Sequence, residues 1–178
     1  RNLMYTAQLD SNELPFVIRY PRGEGVMPEW KTEMQEIKIG TGRKLKDGQD
    51  IAILSFGHVG NFAASAIRDV KAEGINPAHY DMRFVKPLDE EMLHEVFSKY
   101  NKVITIEDGT VVGGFGSAIL EFMNEHGYKA DVKIMGIPDR LVEHGTPKQL
   151  YDEIGIDANG IADMLRVLSK INVAELIK

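Results

Sequence analysis

Apolar positions along the chain change period repeatedly, from runs typical of strands to a spacing of about 3.6 typical of helices. Ile51-Ala52-Ile53-Leu54-Ser55-Phe56 is a nearly continuous apolar run, the pattern of a strand buried on both faces. Val59, Phe62, Ala63, Ala66, Ile67 and Val70 then recur at helical spacing, and Gly74 ends that element. Ala78 to Phe84 predicts the next strand, followed by a helix that Asp89 caps and whose apolar face is Met92, Leu93, Val96, Phe97 and Tyr100. Leu88 and Leu93 are spaced as its hydrophobic staple. Lys102 to Glu107 and Val132 to Ile137 predict two more strands, separated by a glycine-rich turn and a helix carrying Phe115, Ala118, Ile119, Phe122 and Met123. Thr146-Pro147-Lys148-Gln149 offers an N-cap, a proline at the first helical position and a capping-box glutamine, so a helix through Ile154 is expected, stopping at Gly155. Asp157 caps a final helix, with Ile156 and Ile161 as its staple and Met164, Leu165 and Leu168 in its buried stripe.

Ahead of these units, Gly42 to Lys46 and Ile51 to Phe56 flank Asp47-Gly48, a turn signal that predicts an antiparallel hairpin. Repeated β-α units with short connections predict a three-layer α/β fold, a mainly parallel sheet with helices on both faces and an antiparallel edge strand. This domain is expected over residues 37–178. Residues 1–25 do not form a domain of their own: Arg1 to Leu9 reads as the last turns of a helix without an N-cap, and Phe16 to Tyr20 as a short strand. Residues 26–36 are aperiodic and contain Pro28 and Trp30, as in a linker lying across a surface. The opening without an initiator Met or cap reads as a start in mid-element, so a piece of a longer protein is expected.

Composition narrows the functional classes. Of 178 residues, 43% are hydrophobic and 27% charged, ordinary globular values, and no apolar run approaches the ~20 residues of a bilayer span. Twenty-one Lys and Arg against 27 Asp and Glu give a net charge of -6, which argues against nucleic acid as a partner. The absence of cysteine rules out disulfides and thiolate metal sites and fits a reducing, cytoplasmic compartment.

Candidate chemistry is sparse. In Arg19-Tyr20-Pro21-Arg22-Gly23, the proline ends the apolar run, the glycine lets the chain turn, and Arg22 is presented from the loop. A guanidinium there fits either a solvated ion pair or a two-pronged grip on a phosphate or carboxylate. Gly57-His58-Val59-Gly60 opens a helix after a buried strand but lacks the dinucleotide glycine spacing, and Asp81 falls within its predicted strand, so a tight turn is the reading. Glu107-Asp108-Gly109 with Gly113-Gly114-Phe115-Gly116-Ser117 reads as strand-to-helix packing or a subunit contact, since two carboxylates alone make a weak metal site. Ser117 is not in a nucleophile elbow, the five histidines show no metal-protease spacing, and Glu143-His144 reads as a solvated loop pair. No catalytic set is expected within residues 37–178, which leaves part of an enzyme whose chemistry lies elsewhere, or a binding and assembly module.

A resemblance chooses between these. The Arg19 to Gly23 phrase, Asp81-Met82-Arg83-Phe84-Val85-Lys86-Pro87-Leu88-Asp89, Glu107-Asp108 with Gly113 to Ser117, and Gly136-Ile137-Pro138-Asp139 through Glu143-His144-Gly145 to Gly155-Ile156-Asp157 occur in one order. Together they resemble the C-terminal part of the 1-deoxy-D-xylulose-5-phosphate synthase family of transketolase-like enzymes, over essentially the whole chain. The phrase ending Lys86-Pro87-Leu88-Asp89 is shared with transketolases and with β subunits of 2-oxo acid dehydrogenases; the Arg19 to Gly23 loop and the segment from Pro138 to Ile156 separate the synthases from them.

The resemblance implies a homodimeric transferase that uses thiamin diphosphate and Mg2+. It joins pyruvate to glyceraldehyde 3-phosphate with loss of carbon dioxide and serves isoprenoid and thiamin biosynthesis. It also implies that residues 1–25 are the end of a pyrimidine-binding domain and residues 37–178 the transketolase-type C-terminal domain. Arg22 matches the arginine expected to hold the phosphate of glyceraldehyde 3-phosphate, with Arg19, Tyr20, Pro21 and Gly23 supporting the loop. No catalytic, cofactor-binding or metal-binding residue carries over, so the chain alone is expected to be inactive and to bind no cofactor. The alternatives are a 2-oxo acid dehydrogenase β subunit, with a lipoyl partner, and a stand-alone dimerisation or regulatory module.

Overall fold

The computed structural model describes residues 1–21, 25 and 31–170. Its elements in chain order are α1 (Asn2–Thr6), β1 (Arg43–Lys46), β2 (Ile51–Phe56), α2 (Gly60–Val70), β3 (Ala78–Asp81), α3 (Glu90–Lys99), β4 (Lys102–Thr110), α4 (Phe115–Glu125), β5 (Asp131–Ile137), α5 (Pro147–Glu153) and α6 (Ala158–Lys170). The sheet runs β1-β3-β2-β4-β5. β2 pairs in parallel with both β3 and β4, β4 pairs in parallel with β5, and only β1 is antiparallel.

Alternation along β2 divides the core. Ile51 and Ile53 face α2 and α6, where Ile104, Ile106, Ile161, Leu165 and Leu168 complete one apolar layer. Ala52 and Leu54 face α3 and α4, with Tyr80, Leu93, Val96, Ile119 and Phe122 in the other. A strand buried on both faces needs a neighbour on each edge and helices above and below, which accounts for the unbroken apolar run.

The predicted hairpin does not form. β1 pairs with β3, Arg43 opposite Asp81 and Lys44 opposite Tyr80, because both edges of β2 are occupied by parallel neighbours. The Asp47-Gly48 turn instead passes against the start of β3, where a Cβ on Gly48 would lie 2.0 Å from the Ala78 nitrogen. Gln49 N donates to the Asn76 carbonyl at 2.7 Å, and Asp50 takes φ 60°, so the turn lies beside β3 and leads the chain back into β2. Largely exposed, with two lysines, β1 is suited to an edge. Lys44 Nζ ties it to α3 through Glu95 at 2.6 Å.

Three further expectations change. Phe16 to Tyr20 takes up no strand pairing among the described residues, and a run this short needs a neighbouring strand to form; Phe16 and Ile18 are half-buried while Val17 and Tyr20 are 85% exposed. β3 stops at Asp81 rather than Phe84, since Arg83 turns to φ 51° and spends its guanidinium on the Thr41 and Gly42 carbonyls at 2.8 and 2.7 Å. β4 runs on to Thr110, beyond Glu107. The described part of the expected linker, residues 31–36, contacts α1, with Gln35 N donating to Asn2 Oδ1, and Ile37 N just beyond it donates to Thr6 Oγ1.

The expected helix ends are observed. Thr146 and Gln149 form a reciprocal capping box at α5, and Gly160 N donates to Asp157 Oδ1 at the start of α6. At α3, Asp89 Oδ1 accepts from Met92 N at 3.0 Å while Oδ2 accepts from Gly42 N at 2.7 Å, so one carboxylate caps the helix and holds the chain entering β1. Asp89→Ala is therefore expected to lower unfolding free energy by about 1–2 kcal/mol, and Asp89→Asn by less. Urea denaturation measures both; an unchanged Asp89→Ala midpoint would contradict this double role.

Candidate functional site

From β2 the chain passes through α2 to β3 on one side, and from β4 it passes through α4 to β5 on the other. The loops after β2 and β4 therefore diverge, and the crevice beyond their carboxyl ends is the switch point of the sheet. His58 lies just beyond β2, and Asp108 lies near the end of β4. α5 brings Tyr151 to the same place.

Tyr151 joins these two turns. Its hydroxyl donates to Asp108 Oδ2 at 2.9 Å and lies 3.1 Å from His58 Nε2, which itself stands 3.7 Å from the same carboxylate oxygen. With its own proton committed to Asp108, the Tyr151 oxygen accepts from the imidazole. Burial, reinforced by the bond to Asp108, pushes the Tyr151 phenol up to about 12, so it remains a donor. The Tyr151 ring packs against His58 and Phe62 at 5.7 and 5.5 Å, which seats α5 over the end of the sheet. The three polar groups are partners of one another, and their geometry is that of a clamp.

Glu107 serves the opposite face of the sheet. It is 2% exposed, and Oε1 accepts from Gly116 N at 3.0 Å in the first turn of α4, a helix with no side-chain N-cap. A Cβ on Gly114 would fall 2.6 Å from that oxygen and 2.1 Å from the Thr110 carbonyl, so the glycine-rich turn makes room for the carboxylate. Glu107→Ala would leave a helix N–H without its acceptor in a dry site. A loss of about 1–3 kcal/mol is expected in denaturant unfolding, and wild-type stability would contradict the anchoring role.

The remaining candidates are accounted for locally. Gly57, at φ 85°, makes the tight turn predicted for it. Asp81 ends its strand rather than lying within it, but pairs with Arg43 Nε at 2.9 Å and accepts from Arg83 N. Ser117 Oγ accepts from Gly113 N and donates to the Val111 carbonyl, and Glu143 and His144 are exposed. Among the described residues no three His, Cys, Asp or Glu side chains converge to hold a metal ion, and no helix is long and apolar enough to cross a membrane.

Arg22 and Gly23 lie outside the described residues. Of the loop, Arg19, Tyr20 and Pro21 are described, and Arg19 reaches the switch point, its guanidinium donating to the Asp108 carbonyl at 2.9 Å. The sequence reading missed this contact and the His58-Tyr151-Asp108 chain. Their only signal was that His58 and Asp108 each lie close to the C-terminal end of a buried parallel strand.

The family model for the transketolase C-terminal domain matches residues 40–161. The chain is 59% identical over 171 residues to the 1-deoxy-D-xylulose-5-phosphate synthase of Cytophaga hutchinsonii, covering 96% of this chain and 27% of that protein. The synthases of Parabacteroides distasonis and Geobacillus thermodenitrificans are 55% and 41% identical over 93% and 94% of the chain. The chain thus spans about a quarter of the length of these relatives, 26–27%. Among solved structures, a split-gene transketolase described as an inactive β4 tetramer aligns with TM-score 0.70 and 31% identity over 75% of this chain and 44% of its own.

Proposed function

The chain belongs to the transketolase C-terminal domain family, and from that premise we propose that it is the C-terminal part of a 1-deoxy-D-xylulose-5-phosphate synthase. The observation that carries this reading is the 41–59% identity to synthases over more than nine-tenths of the chain. The whole protein then joins the two carbons left when pyruvate loses its carboxyl group as carbon dioxide to the aldehyde carbon of glyceraldehyde 3-phosphate, forming one carbon–carbon bond. In this reading residues 1–25 close the preceding pyrimidine-binding domain, residues 26–36 link, and residues 37–178 are the C-terminal domain of a cytoplasmic homodimer.

Thiamin diphosphate, held through Mg2+, supplies the means of stabilising the two-carbon unit in such enzymes. The residues described here do not fit that group: the Asp108 carboxylate is taken by Tyr151, that of Glu107 by Gly116 N, and no third ligand joins them. The contribution of this chain is recognition of the phosphorylated aldehyde. Arg22 binds its phosphate through paired N–H donors and so orients the carbonyl for attack.

The test is product identity. Full-length protein given thiamin diphosphate, Mg2+, labelled pyruvate and glyceraldehyde 3-phosphate is expected to release one carbon dioxide per phosphorylated pentulose formed. Decarboxylation indifferent to the aldehyde, with transfer of the two-carbon unit to lipoate, would refute the proposal.

A further inference from the structure

We propose that Asn159 is a modification site of this chain, the place where it deamidates spontaneously, and that Asp157 restrains the reaction by holding the attacking nitrogen. Asn159 is the only asparagine in the sequence followed by glycine, and it is exposed. A glycine has no side chain to hinder the approach of its own backbone nitrogen to the carboxamide before it. In the reaction the Gly160 nitrogen gives up its proton to solvent and bonds to Asn159 Cγ, while the carboxamide nitrogen leaves as ammonia. Water then opens the resulting succinimide at one of its two carbonyls. The product is aspartate, or isoaspartate with the main chain rerouted through the former side chain. One water enters, one ammonia leaves, and nothing is oxidised or reduced.

Packing dictates the glycine. A Cβ on residue 160 would lie 2.2 Å from the Gly155 carbonyl oxygen and 2.6 Å from its carbon, so the first turn of α6 passes this close to the turn after α5 only with glycine there. Gly155 takes φ 72° to make that turn. The close approach of two backbones therefore gives Asn159 the least hindered successor an asparagine can have.

The fold opposes the reaction in three ways. The Gly160 N–H, which must lose its proton, donates to Asp157 Oδ1 at 2.9 Å, and Ile161 N donates to the Asp157 carbonyl at 3.1 Å. The Asp157 carboxylate also disfavours the nitrogen anion that attacks, because like charges repel. Within α6, moreover, helical backbone keeps ψ of Asn159 at about −42°, whereas ring closure needs the next nitrogen swung toward the side chain. Attack accordingly requires the first turn of α6 to fray, and the buried residues of that helix begin only at Ile161. Isoaspartate would add an atom to the main chain just ahead of Ile161, which is 0% exposed in one apolar layer with Leu165 and Leu168. The capping turn cannot be rebuilt over that longer path.

The experiment ages full-length protein in mildly alkaline buffer and follows the peptide containing Asn159 by mass spectrometry, with an isoaspartate assay on the same samples. Wild type is expected to convert slowly at Asn159 when folded and much faster in urea. Asp157→Ala is expected to convert roughly three- to tenfold faster than wild type, the rise in frayed first turn that loss of an N-cap brings. Asp157→Ser, which still caps, is expected to stay within about twofold of wild type. Equal rates in wild type and Asp157→Ala, zero included, overturn the restraint by Asp157, as does Asp157→Ser converting as fast as Asp157→Ala. A rise in Asp157→Ala that the other asparagines of this chain share also overturns it, because that is the mark of general unfolding. Another asparagine of this chain converting first in the folded wild type overturns the assignment of the site.

Discussion

Arg22→Ala in the full-length protein is expected to lower kcat/KM for glyceraldehyde 3-phosphate by about 2–4 kcal/mol, or roughly 30- to 900-fold, and to leave KM for pyruvate at its wild-type value. The magnitude follows from the number of bonds at stake: a guanidinium facing a phosphate makes two charge-assisted hydrogen bonds, each shorter and stronger than a neutral pair. Arg22→Lys keeps the charge but replaces the planar fork with a point donor, so an intermediate loss is expected. The asymmetry between substrates carries the diagnosis, because pyruvate has no phosphate. Equal loss for both would place Arg22 in general support of the site.

Acid weakens the chain through His79. Its imidazole is 2% exposed beneath the start of α2, and Nε2 meets Ser55 Oγ at 2.9 Å while Ser55 donates to the Tyr80 carbonyl. Burial is the main cause that brings His79 from 6.5 down to about 4; Arg43 and Lys46 add to the depression and Asp81 opposes it. Above pH 6.5 the ring is neutral in both folded and unfolded chains. Between 6.5 and 4 only the unfolded chain takes up the proton, so stability falls as pH falls, by about 3 kcal/mol across the window, and the loss levels off below 4. Urea unfolding at pH 7, 5.5 and 4 measures it. His79→Gln, which keeps a polar partner for Ser55, is expected to start less stable and to show a pH dependence flatter by that amount; parallel profiles would contradict the assignment.

Elements governed by local chemistry were readable from sequence. Asp89 caps α3 and the Thr146–Gln149 box opens α5, because both signals lie within one helical turn. The apolar run Ile51–Phe56 identified a strand covered on both faces without saying which strands would flank it. That silence explains the misplaced hairpin: an Asp-Gly turn reports a reversal of the chain, whereas the partner of β1 was decided by competition for the edges of β2. Phe16 to Tyr20 had the composition of a strand but pairs with none among the described residues. At the site, Asp108 was singled out only as half of a carboxylate pair; its partners Tyr151 and Arg19 come from residues remote in sequence that no periodicity connects. The role of Arg22 came from resemblance, since its neighbours alone favour a solvated ion pair.

Two aldehydes set against two enzymes isolate the contribution of the phosphate. Wild type and Arg22→Ala, both full-length, are assayed with pyruvate and either glyceraldehyde 3-phosphate or unphosphorylated glyceraldehyde. The substitution is expected to cost about 2–4 kcal/mol in kcat/KM with the phosphorylated aldehyde and almost nothing with the other, a coupling assignable to the phosphate. The same loss with both aldehydes would contradict it.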